Sequence, residues 1–528
     1  MKKQILSRTL IERVLLIYLI LQPIVDIGTS FLVHAGHDVT IGVIFRALFL
    51  AATGVFLLFF YDGPKRWLIR GYLVAVCGMV LIQLFLTRSA GTAGMITNIK
   101  ETVKAFYFPC VLVGLWALKK QYGYLIPDKQ AMGVTVFYAL TIFLSFVTDT
   151  SFSSYKGSSS GYCGWFYAAN EVSALVLIMA PLVFWYWTNR KAYDGFRAKK
   201  ILPTLVGVFS VFLMLFAGVY LGTKAAFLGV AAYLVCLLIW SLFRLEITHD
   251  KLYLFRTICA LLMGAVLVTL SVFSSSIMEN MMGRMEWFYY INVENPDYTN
   301  LTTVATTKPA TTTKPATTTE PATTTEPTTT TEPTATTEPA TTTEPTTTTK
   351  ATTTAPATTA ATTVIDTDSK LYGVANWILS NRLTKSLPVI QQYMISGTSG
   401  KVFGLGYAQV PEYEYSVTAA MEMDFFTVFC RHGVVGFLLY VAPYAAILLS
   451  ALFKGIRKLR YTIASLSWCT SLYQVLIAFA VGCVAGHTFI APAVSIYVAF
   501  TLLRLSDVTD TVIAEGKKAK AAPLPAQE

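Results

Sequence analysis

Charged side chains are scarce in this sequence. They make up 13% of 528 residues against 54% hydrophobic ones, and the mean hydropathy is +0.55. A soluble domain needs roughly a quarter of its residues charged to cover its surface, so a water-soluble globule is excluded. Histidine is rare and dispersed: His34, His37, His249, His432 and His487 are scattered along the chain, with no metal-ligand cluster. No P-loop and no GxGxxG element occurs, which argues against a nucleotide-driven machine. Seven of the eight cysteines fall in or beside apolar runs and only Cys163 lies clearly outside them. One exposed thiol cannot close an internal disulfide, so no disulfide framework is expected.

What is present is apolar sequence in blocks of about twenty residues, the length that crosses a bilayer core. Twelve spans are expected, near 14–33, 41–60, 69–87, 105–118, 130–148, 171–188, 201–220, 225–243, 257–276, 424–450, 462–482 and 487–504. The fourth is short. Met1 to Arg13 is basic, but the first apolar run has no small-residue cleavage site, so it reads as an anchoring helix. The fold class is therefore all-α, a polytopic membrane helix bundle.

Lys and Arg give the orientation. With the N-terminus inside, well over half of the 41 basic residues fall in short inner segments, ending with the Lys517–Lys520 cluster. The net charge of +11 is thus an orientation signal, and nucleic acid is not an expected partner. Residues 1–276 hold spans one to nine, 424–505 hold spans ten to twelve, and 506–528 form a cytoplasmic tail. The one large loop, 277–423, then lies outside, on the extracytoplasmic face.

Within that loop, 302–363 is almost entirely Thr, Pro, Ala, Glu and Lys, with a repeated Pro-Ala-Thr-Thr-Thr-Glu unit. Nothing there can be buried to offset ordering entropy, so a disordered spacer is expected. Fully extended it reaches ~190 Å at ~3.1 Å per residue. It is either a tolerated insertion or an O-glycosylated stalk. The flanking pieces, 277–301 and 364–423, carry Arg284, Trp287, Trp377, Arg382 and the Gly404-Leu405-Gly406 triplet, and read as short helices over the membrane surface.

Three outward-facing places hold polar groups. In the turn before span eight, Thr223 can cap the helix and Lys224 adds charge where free N–H groups already attract anions; a snorkelling lysine is the alternative. The loop 149–170 ends at Asn170, a candidate ligand contact, and Glu171, an acid suited to a helix start. Glu422 and Asp424 stand at the mouth of span ten, with Arg431 and His432 at membrane depth. They form either a general base with its partner or helix-start acids ion-paired to Arg431. Arg382 and Arg284 could clamp an anionic leaving group with their planar forks. Asp26 and Arg46, on spans one and two, are expected to satisfy each other.

In this order these sites resemble the O-antigen ligase and polymerase family. Gly164 to Glu171 is similar to its glycine-aromatic entry to a helix, and Gly222-Thr223-Lys224-Ala225-Ala226 to its Ser-Arg-Gly-Ala turn. Asn381-Arg382 with Gly404-Leu405-Gly406 resembles its Gly-Arg and Gly-x-Gly loop signature, and Glu422 to Gly436 its helix after the loop. Lys224 replaces an arginine and Glu422 a histidine that many members carry. The resemblance implies a GT-C-like fold and a metal-independent glycosyltransferase needing no cofactor. Its expected substrates are an undecaprenyl-pyrophosphate-linked glycan and an acceptor glycan or cell-wall component. Catalytic roles are then expected for Glu422, Arg382 and Asp424, and substrate-binding ones for Lys224, Arg284, Asn170 and Arg431. The location would be the cytoplasmic membrane of a Gram-positive bacterium. A transporter or flippase of cell-envelope precursors is the alternative, and a membrane anchor displaying the stalk a third reading.

Overall fold

The computed structural model describes residues 7–37, 41–123, 126–154, 161–189, 201–249, 251–273, 369–379 and 381–521. Both the spacer and Arg284 lie outside the described residues. Helices follow the apolar blocks because lipid leaves backbone groups no partner except within the segment. They are α1 (Arg8–His34), α2 (Ile41–Val55, continued by a π-turn Phe56–Phe60), α3 (Arg66–Leu86), α4 (Gly91–Tyr122) and α5 (Asp128–Val147). Then follow α6 (Ala169–Thr188), α7 (Ile201–Tyr220), α8 (Lys224–Thr248) and α9 (Lys251–Phe273). Within the long loop lie α10 (Lys370–Ile378), α11 (Arg382–Ile395) and α12 (Thr398–Phe403), and after it come α13 (Asp424–Arg457), α14 (Leu459–Thr462), α15 (Leu466–Val484) and α16 (Pro492–Ala521).

Eleven of these are long and apolar enough to cross a membrane, so the protein is a polytopic all-α membrane protein. The twelfth expected span forms the first half of α16, where Arg504 and Asp507 interrupt the apolar run. Sequence patterning misjudged the fourth span most. It is the 32-residue α4, whose first half is polar and largely exposed, while the buried, apolar stretch begins only at Ala105. Asn98 there bonds Thr87 and the backbone N–H of Tyr407. Among the described residues one feature departs from all-α: Phe152–Ser153 and Tyr162–Gly164 pair as a two-stranded antiparallel ribbon, β1 and β2, in the loop before α6.

The core lies where α6 meets α5, α7, α8, α15 and α16, and α4 packs on α13 and α16. Helix α6 is buried on nearly every face, as its unbroken apolar sequence requires. Two arginines inside the bundle are paired with aspartates. Arg504, 1% exposed, meets both Asp128 oxygens at 2.9 and 3.0 Å, tying α16 to α5. Asp26 and Arg46 form the expected pair, which Tyr138 and Gln22 extend.

Helix α13 is broken near its start. Gly433 has φ 65° and ψ −170°, a conformation that side chains avoid. The break lets the Phe403–Gly406 strip lie against the helix, with Leu405 N–H donating to Cys430 O at 3.1 Å and Gly406 N–H to Arg431 O at 2.9 Å. Gly433 faces the backbone of Val402 and Gly404 so closely that a Cβ would overlap it. Gln83 of α3 adds its amide to the carbonyls of Phe403 and Arg431.

Candidate functional site

Successive helices run up and down, so the starts of α4, α6, α8 and α13 lie at one end of the bundle. Two of the three polar places meet there directly. Thr223 occupies the N-cap position of α8, but its hydroxyl donates to Ser173 of α6 at 2.7 Å instead of capping. Ser154, in the loop before α6, donates to Leu221 O at 2.8 Å. Lys224 thus begins α8 beside the opening turn of α6, where Asn170 is exposed.

The third place resolves into separate jobs. Glu422 lies just before α13 with its side chain 22% exposed, and it carries two cations: Arg382 Nε at 3.0 Å and Lys385 Nζ at 3.0 Å. Both cations come from the first turn of α11, where spacing three apart puts them on one face. Burial alone would raise the Glu422 carboxyl, but Lys385 and Arg382 outweigh it and hold it below the ordinary glutamate value.

Asp424 is fully buried, two residues on. Its carboxylate accepts the N–H groups of His487 and Thr488 at 2.9 Å each and of Phe489 at 2.7 Å. It therefore ties the start of α13 to the turn before α16. Arg431 does not pair with either acid. It is buried and donates to the carbonyls of Gly406 (3.1 Å), Ala419 (2.8 Å) and Val417, which holds the returning loop in shape. His432, also buried, has Nε2 3.3 Å from the Tyr407 hydroxyl.

The turn that Asp424 holds leads into Pro492–Val494, and these residues form one wall of a cavity of about 240 Å³. Its other walls carry Asp26 and Arg46, then Lys100 and Lys104 of α4, then Glu171 of α6. Lys104 acts electrostatically on both Glu171 and His487, and His487 also feels Glu422 and Arg382. The ion-pair cluster and the cavity therefore belong to one charged region. Burial lowers the His487 pKa, so this imidazole is neutral at neutral pH.

Lys385, Lys100, Lys104 and the cavity role of Glu171 were not singled out from sequence. The spacing of Lys385 from Arg382, and of Lys100 from Lys104, was a readable signal of shared helix faces. The convergence of α2, α4 and α6 was not readable, because it depends on which helices pack together.

The family described as O-antigen ligase like membrane protein matches residues 8–506, from the first helix into α16. No curated protein and no solved structure matches the chain. The family match spans nearly the whole sequence and all the helices that build this charged end, so the chain belongs to the O-antigen-ligase-like membrane proteins.

Proposed function

We propose that this protein polymerises or ligates a cell-surface polysaccharide at the outer face of the cytoplasmic membrane. The glycan would come from an undecaprenyl-pyrophosphate-linked donor and pass to an acceptor hydroxyl. The observation that carries this reading is the Arg382–Glu422–Lys385 cluster: two cations on one helix face, balanced by one partly exposed carboxylate. Family membership makes glycosyl transfer the chemistry to fit to it.

In that reaction the acceptor oxygen attacks the anomeric carbon, and the bond from that carbon to the pyrophosphate oxygen breaks. The electron pair leaves with the lipid pyrophosphate. Arg382 and Lys385 suit the developing negative charge, one as a planar fork and one as a compact point charge. Lys224, at the start of α8, adds a third cation at the same end of the bundle.

Glu422 suits the proton. While the two cations sit on it, the carboxylate is a weak base, and its buried setting pulls the other way. A bound pyrophosphate competes for Arg382 and Lys385, so Glu422 loses its counter-charges and gains proton affinity when the donor arrives. The base is thus armed by the substrate. Asp424 and Arg431 support the site by holding backbone, as their hydrogen bonds indicate.

Complementation of a strain lacking the gene tests this reading. Arg382→Ala and Glu422→Gln should each abolish the polymer while the protein inserts at normal levels. Full activity in both variants would overturn the mechanism. Deleting 302–363 should leave the polymer intact, because nothing in the proposed chemistry uses that spacer; loss of polymer would favour a display role for the stalk.

A further inference from the structure

The cavity beside the ion-pair cluster has a charge pattern that the transfer chemistry above does not use. Three helices each turn one stripe toward it: Arg46 on α2, Lys100 and Lys104 on α4, Glu171 on α6. Arg46 is already matched by Asp26. Lys104 reaches only Glu101, at 3.5 Å and on the exposed side, and Lys100 makes no ion pair among the described residues. Two lysines thus stand one turn apart with a single carboxylate, Glu171, on the α6 wall. The rest of the lining is largely apolar, including Val43, Leu50, Val103 and Leu175.

Depth fits a membrane boundary. Lys100 lies ~28 Å along α4 from Lys119, at ~1.5 Å per residue, close to the ~30 Å of a hydrocarbon core. With Lys119 and Lys120 at one boundary, Lys100 and Lys104 stand at the other, where a lipid phosphate lies. A volume of about 240 Å³ suits a headgroup and the first part of a tail more than an oligosaccharide.

We propose that this cavity is a second lipid-phosphate site, in which Lys100 and Lys104 hold the phosphates of a polyprenyl-diphosphate-linked glycan and Glu171 accepts hydrogen bonds from its sugar hydroxyls. This rests on the glycosyl-transfer reading. Two anion sites, one at Arg382 and Lys385 and one at Lys100 and Lys104, serve a reaction in which donor and acceptor are both lipid-linked. That is polymerisation, since a ligase acceptor that carries no lipid diphosphate needs only one such site.

The test counts sites. Full-length protein in lipid nanodiscs is titrated with undecaprenyl pyrophosphate and the bound lipid is counted by native mass spectrometry. Wild type should bind two, Lys100→Gln/Lys104→Gln one, and Arg382→Gln one. Neutral undecaprenol should bind the lysine variant and wild type alike, which shows that the variant still folds. Inorganic pyrophosphate should compete at least 100-fold more weakly, because it lacks the tail. A single wild-type site unaffected by the lysine substitutions would overturn the inference, as would equal competition by inorganic pyrophosphate. Failure of the functional reading looks different: two lipids bind as expected, yet no glycan is transferred between them.

Discussion

Replacing Asp424 with asparagine asks whether this acid is catalytic or structural. The substitution is nearly isosteric, so its effect reports hydrogen bonding and charge. Oδ2 now accepts two backbone N–H groups, from Thr488 at 2.9 Å and Phe489 at 2.7 Å, while Oδ1 accepts that of His487. An asparagine keeps the Thr488 and Phe489 bonds by presenting its carbonyl at the Oδ2 position, and its NH₂ then faces the His487 N–H donor. A buried donor left without an acceptor costs about 1–3 kcal/mol, and that is the expected loss. Because Asp424 is fully buried, little water can relieve this, and Phe489 behind it packs on Phe108, Phe425 and Tyr444. The assay is unfolding of purified protein in mixed micelles by increasing SDS, followed by tryptophan fluorescence. A loss below about 0.5 kcal/mol would refute the hydrogen-bond reasoning. Unchanged stability with abolished transfer would restore Asp424 as a catalytic group.

Arg382→Ala should lower transfer about 10²–10³-fold, the range for removing one charge-stabilising donor. Arg382→Lys should keep part of the rate, measured with lipid-linked substrate in vesicles. Glu422 has its folded pKa lowered, so its ion pairs stabilise the fold fully above the ordinary glutamate pKa of about 4.3 and lose that effect as pH falls through the lowered value. Glu422→Gln should flatten the stability profile in that acid window and lower stability at neutral pH, where the wild-type ion pairs are fully formed, read from unfolding midpoints against pH. His487 also has a lowered folded pKa, so stability should fall as pH drops through about 6.5, where the unfolded imidazole takes a proton. His487→Gln should remove that step in the same titration. Gly433→Ala should cost about 2 kcal/mol or more, from the positive φ and from overlap with the 402–404 backbone, and should free the Phe403–Gly406 strip for faster amide exchange.

Apolar blocks of membrane-spanning length are a local property, because each helix must satisfy its own backbone inside lipid. The sequence by itself therefore determined the polytopic helical class, the place of the long loop and most span positions. The Asp26–Arg46 pair is expected from sequence, since unpaired charges in adjacent spans are costly, and the structure forms it. Sequence patterning misread α4, because a polar, largely exposed half-helix carries no hydropathy signal. Only the tertiary structure decided what each polar residue faces. Asp424 and Glu422 are two residues apart and both acidic, yet one grips three backbone N–H groups and the other two cations. Arg431, expected to answer those acids, answers carbonyls of the returning loop instead. The cavity needs α2, α4, α6 and α16 side by side, residues up to several hundred apart in the chain. Such convergence comes from helix packing, which the order of residues along one helix does not encode.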